Sequence, residues 1–99
     1  MSISSQQDEA YNFRLYIAGI DEPKSTRAIN NFYRMTERIA GNCDVDIVDI
    51  YTNIELTEVD RVSATPTLIK LSPPPVQRFV GDLSNIDQVL MTLRIKFDR

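Results

Sequence analysis

The chain contains one cysteine, Cys43, and no histidine. Those two counts decide most of the chemistry open to it. A dithiol couple needs a second thiol, while Ser-His and Cys-His nucleophile pairs and the usual zinc sites depend on residues this chain lacks. Cys43 reads as a small packing residue or an incidental surface thiol. Much enzymology is thereby closed off. The stretch "SATPTLIKLSPPPVQRFVGDLS", Ser63 to Ser84, carries two short β-rich runs, Thr67–Leu71 and Val76–Val80. Thr65-Pro66 precedes them, Pro73, Pro74 and Pro75 separate them, and Gly81-Asp82 closes them. Proline has no amide proton, so it belongs at strand ends, edges and turns. Punctuation this dense builds a tightly specified connection, and such a connection on a small domain is often a site.

The elements that position this stretch follow from the totals and the periodicity. Ninety-nine residues suffice for one modest core and not for two. A net charge of −3 argues against general affinity for nucleic acid or an anionic membrane, so neither is expected as a partner. No run is long enough to span a bilayer, and "MSISSQQDEA" lacks the basic-then-apolar order of a signal peptide; a cytoplasmic protein is expected. No cofactor or metal is implied. Residues 1–10 read as a disordered, solvated tail, and residues 11–99 as a single domain.

"FRLYIAG" alternates Phe13, Leu15 and Ile17 against Arg14, Tyr16 and Ala18, a first strand. Asp21 or Glu22 can cap the helix that follows, Pro23 suits its first position, and Gly41-Asn42 end it. Its apolar stripe is read as Ile29, Phe32, Tyr33, Thr36, Ile39 and Ala40. Val45–Ile50 is a second strand, parallel to the first because a helix crosses between them. Leu56, Val59 and Val62 mark a short helix. The two runs of the proline-rich stretch are joined too closely for a crossover and must be antiparallel. Ser84 and Asp87 suggest a capping box before Ile86, Val89, Leu90, Leu93 and Phe97, a final helix. The order is β-α-β-α-β-β-α, an α/β layer structure with a mixed four-stranded sheet.

That order, with "ATPTL" before the third strand, resembles the thioredoxin-like fold. The resemblance implies a cis Thr65-Pro66 bond, and it puts "GIDEPKS" where the redox family carries its two cysteines, so thiol chemistry is not expected and the chain is read as no enzyme. A closer likeness covers residues 13–95. "LYIAG", "VDIYTN", "ATPTL", "PPPVQRFVGDLS" and "VLMTL" resemble, in order and spacing, the KaiB family of bacterial clock proteins. The resemblance implies a non-catalytic regulator that binds a KaiC-like hexameric ATPase in a circadian or stress-response timing system. It also implies a chain able to switch between the thioredoxin-like fold, monomeric or dimeric, and an alternative tetrameric fold. The other reading is an interaction domain for a different partner, such as a sensor kinase, without redox activity.

The positions that match the family's binding chemistry are Arg61, Lys70, Arg78, Asn53, Asp60 and Arg27. Arg61 and Lys70 are expected to set electrostatic register, with apolar contacts from the "GIDEP" loop or Tyr51. Pro66, Pro73, Pro74, Pro75 and Gly81 are assigned to the half of the chain that can refold. Two departures matter. Asp46 stands where the family usually has lysine, which leaves KaiA doubtful as a partner. Thr92-Leu93-Arg94 replaces Gly-Leu-Asp, a change expected to favour the last helix by about 1–2 kcal/mol and so the thioredoxin-like state.

Overall fold

The computed structural model describes residues 9–97. Its elements are β1 (Glu9–Ile17), α1 (Pro23–Thr36), β2 (Gly41–Asp49), α2 (Ile54–Val59), β3 (Thr67–Ser72), β4 (Gln77–Val80) and α3 (Ile86–Thr92), in the expected order. The strands form one mixed sheet, β2-β1-β3-β4. β1 pairs in parallel with β2 and antiparallel with β3, which pairs antiparallel with β4. β1 begins at Glu9, inside the stretch read as tail; residues 1–8 of that stretch lie outside the described residues.

Alternation along β1 divides the interior in two. Tyr11, Phe13, Leu15 and Ile17 enter the larger core with Phe32 and Met35 of α1 and Val89 and Leu90 of α3. Tyr16 points the other way and meets Val48 and Ile69, with Leu56 and Val62 packed around them. Helices α1 and α3 thus cover one face, and α2 lies over the other. The apolar stripe of α1 is rotated from the expected one. Ser25, Ala28, Phe32 and Met35 are buried, whereas Tyr33 is 51% exposed and Ala40 is exposed. The helix also stops at Thr36, five residues short of Gly41. There the Thr36 hydroxyl donates to the Tyr33 carbonyl, and the turn tightens through Arg38 N–H to Met35 and Ile39 N–H to Thr36. Ile39 is drawn off into a bridge with Phe97.

The Thr65-Pro66 bond is cis, as the resemblance implies; Ser72-Pro73 and Pro74-Pro75 are cis as well. Gly81 closes β4 at φ +141°, donating its N–H to the Pro66 carbonyl at 2.9 Å. A Cβ there would stand 3.2 Å from the Phe79 ring, so both conformation and space favour glycine.

α3 is capped by Asn85, whose side chain accepts from Gln88 N–H, in place of the Ser84–Asp87 box. It ends at Thr92, before Phe97. Ile95 N–H reaches Leu90 O at 3.0 Å and Arg94 N–H reaches Met91 O at 3.2 Å, a Schellman termination closed by the buried pair Leu90 and Ile95. Arg94 is the residue past the end, at φ +57°. The helix-propensity gain expected of it therefore does not arise, because it stands outside the helix in a conformation that favours glycine. Only Thr92 keeps that argument. Arg94→Gly is expected to raise stability by about 1 kcal/mol, and an unchanged urea midpoint would refute this.

Candidate functional site

The ends of the two parallel strands and the short helix beyond them form the surface of interest. Asp49, at the end of β2, organises it. Its Oδ1 accepts from Gly19 N–H at 3.2 Å and Tyr51 N–H at 3.0 Å, joining the loops that follow β1 and β2. Its carbonyl accepts from Asn53 Nδ2 at 3.0 Å. Held this way, Tyr51 lies beside Gly19, where an added Cβ would sit 3.9 Å from the ring. Tyr51 is 68% exposed, Ile54 62% and Val59 75%, and Ile20 of the neighbouring loop is also exposed. The helix α2 between them has no fully buried side chain. An apolar surface on a short helix, flanked by Arg61 and Arg78, has the chemistry of a protein-docking face.

The C-terminal turn of α2 is tied to the sheet by charge. Asp60 Oδ2 accepts from Arg14 Nη1 at 2.9 Å and from the Tyr16 hydroxyl, which also lies 3.1 Å from the Leu56 carbonyl. From β4, Arg78 donates to the carbonyls of Asp60 at 2.7 Å and Arg61 at 3.3 Å. Arg61 takes φ +54° directly after the helix, and Val62 N–H returns to Thr57 O at 3.1 Å, a second Schellman end. Burial opposes the charge on Asp60, but the hydrogen bonds from Tyr16 and Arg14 outweigh it and hold its carboxyl below the usual value. Its hydrogen bond to Asp60 raises the Arg14 pKa. Burial, then the bond to Asp60, pushes Tyr16 up to about 12.

The Tyr16 shift carries a pH prediction. A raised folded-state pKa gives stability that is complete below the unfolded value of about 10 and is lost as pH climbs through the folded value. The protein is expected to lose urea resistance between about pH 10 and pH 12, and Tyr16→Phe to flatten that decline. Parallel alkaline profiles for the two proteins would refute the assignment.

The structure gathers Asp60, Arg61 and Arg78 at one end of α2 and Asn53 at the other. It does not gather Lys70 or Arg27. Lys70 is only 1% exposed, so it offers no solvated ammonium to a partner, contrary to its expected role in register. The reason is its strand: β3 lies between β1 and β4 and is covered on both faces. Arg27 is exposed on α1, across the sheet from α2, where it stands near Asp82. Asp82 is kept ionised chiefly by the Ser84 hydroxyl and N–H, with Arg27 adding to the effect. Cys43 is half-buried, and burial, then Asp44, pushes its thiol up, away from reactivity. Asp46 approaches Arg14 Nε at 3.7 Å; that nitrogen finds no hydrogen-bond acceptor among the described residues. Arg14, Tyr16 and Asp49 were not identifiable as site residues from the sequence. The one available signal was an arginine and a tyrosine alternating with Phe13, Leu15 and Ile17 along one strand.

The KaiB domain family matches residues 14–95. The chain belongs to the KaiB family. The circadian clock oscillator protein KaiB of Prochlorococcus marinus (strain MIT 9312) is 40% identical over 91 residues, covering 91% of this chain and 86% of that one. Its counterpart in Thermostichus vulcanus is 38% identical over 91 residues, covering 91% and 83%. Among solved structures, the N-terminal domain of Synechococcus elongatus SasA superposes with a TM-score of 0.71 at 16% identity, covering 87% and 85%. Chloroplastic thioredoxin z gives 0.60 at 17%, covering 88% and 83%. These last two likenesses establish the thioredoxin-like fold for this KaiB-family chain. KaiB-family proteins are clock regulators, and no helix among the described residues is long and apolar enough to cross a membrane.

Proposed function

We propose that this KaiB-family chain is a non-catalytic, cytoplasmic regulator that docks on a KaiC-type hexameric ATPase in a circadian or stress-response timing system. The observation that carries this reading is the α2 face. Tyr51, on a loop that Asp49 holds in place, and Ile54 and Val59 of α2 are all exposed, beside the exposed cation Arg61, while Arg78 is bonded to the end of the helix. Aromatic and aliphatic anchors ringed by charge are what dominate small interfaces. The chain is proposed to work from the thioredoxin-like state, as a monomer or dimer, with the tetrameric fold as its alternative. Asp46 beside Arg14 leaves an acidic β2 edge, which disfavours KaiA.

Size-exclusion chromatography with light scattering, with and without the host's KaiC-type ATPase and ATP, tests the proposal. A small free species that joins the ring at once is expected. Tyr51→Ala with Ile54→Ala should weaken the complex by about 30- to 1,000-fold, since two anchors of roughly 1–2 kcal/mol each are lost. A free tetramer that joins only over hours would overturn the proposed resting state. No complex in any nucleotide would overturn the docking role. It would favour the second reading, an interaction domain for another partner, which the likeness to the SasA N-terminal domain supports at the level of fold.

A further inference from the structure

The helix that offers the docking face is too short to hold itself. α2 has six residues, well under the length at which an isolated helix persists, and buries no side chain completely. Leu56 and Val62 rest on Tyr16, Val48 and Ile69, and among the described residues this is its apolar seat. The rest of its attachment is polar, and it converges on a single turn from two strands. Arg14 of β1 reaches the Asp60 carboxylate at 2.9 Å. Tyr16 of β1 bridges the same carboxylate and the Leu56 carbonyl. Arg78 of β4 grips the Asp60 and Arg61 carbonyls, the groups a helix end leaves unpaired.

We propose that Arg14, Asp60 and Arg78 form a latch that sets α2 on the sheet before a partner arrives, and that they govern docking through α2 without touching the partner. This rests on the docking role assigned to α2 above. Arg14 Nη1, Asp60 Oδ2 and both terminal nitrogens of Arg78 are already engaged inside the chain. The side chains of Arg14 and Asp60 are 23% and 19% exposed, and Asp60 turns its ionised oxygen toward the sheet. Asp46 extends the latch to the edge strand β2, standing 3.7 Å from Arg14 Nε. A lysine at position 46 would place a like charge against the same guanidinium. Asp60 and Arg78 are thus positioning residues, and Arg61, whose side chain is exposed, is the cation left to meet a partner. Preorganisation of this kind acts on association: a helix that is already seated needs no ordering when the complex forms.

The test pairs hydrogen exchange of the free protein with binding kinetics on the KaiC-type ring, for wild type, Asp60→Asn and Arg78→Gln. Arg78 is exposed, so its variant keeps the core intact. The amides of Thr57, Asp60, Arg61 and Val62, all hydrogen-bonded in the closed helix, report the latch. Each variant is expected to speed their exchange by on the order of tenfold beyond any change in β1 or α1, the effect of losing one charge-assisted bond. The association rate should fall by a similar factor while the dissociation rate changes little. Unchanged exchange at the four amides overturns the latch. Faster exchange with an unchanged association rate, or faster dissociation with unchanged exchange, overturns the positioning role and restores direct contact. A wild-type chain that forms no complex overturns the docking role alone, and the exchange result then decides the latch by itself.

Discussion

Phe32→Ala is expected to lower the free energy of unfolding by about 3–5 kcal/mol, the cost of removing a buried aromatic side chain and leaving a cavity. Phe32 is 1% exposed on α1 and meets Phe13 of β1 edge-to-face, with ring centroids 5.3 Å apart. That contact belongs to the core shared by α1, α3 and the central strand, so its loss should be felt by the whole domain. Against the total stability of about 5–15 kcal/mol usual for a domain, that is a large fraction of the whole. Urea unfolding followed by circular dichroism gives the number. A cost under about 1 kcal/mol would mean the site collapses around the void, contrary to the close packing described here.

Asp60→Ala is expected to cost about 2–3 kcal/mol by a different mechanism: it leaves Arg14 and Tyr16 without their common acceptor. Both partners lie in the smaller polar seat of α2, so the loss should fall first on that helix. The cost should also depend on pH. Because the Asp60 carboxyl titrates below its usual value, its stabilisation is present above the unfolded pKa of about 4 and fades as pH falls through the folded value. The advantage of wild type over Asp60→Ala should therefore shrink below about pH 4. Urea midpoints measured at neutral pH and in acid decide this; a gap that stays constant into acid would show that the carboxylate charge has no part in it.

The two predictions separate the halves of the interior, and the separation shows what could be read from the chain alone. Element order was legible because each element has a periodic apolar pattern bounded by Gly, Pro or Asn, and the residues joining β3 to β4 were too few for a crossover. Helix ends were less legible. Pattern does not show that Ile39 leaves α1 for a bridge with Phe97, or that Arg94 takes the position past α3 at φ +57°. The bridge joins residues far apart in sequence, and the end of α3 is set by a Schellman turn whose closing pair, Leu90 and Ile95, is buried in the core.

The site divides in the same way. Sequence by itself determined that the chain carries neither a pair of cysteines nor a histidine, and it determined the family, through the "ATPTL" and "PPPVQRFVGDLS" blocks. It also marked Asp60, Arg61 and Arg78 as worth attention. Only the tertiary structure decided what those residues do. Asp60 and Arg78 bind each other's neighbourhood, Lys70 is enclosed, and Arg27 belongs to the opposite face. The physical reason is that a charge's role depends on what surrounds it. Strand pairing and sheet order bring Arg14, Tyr16, Asp60 and Arg78 to one place from positions 46 residues apart for the Arg14–Asp60 bond, and no local pattern along the chain records that meeting.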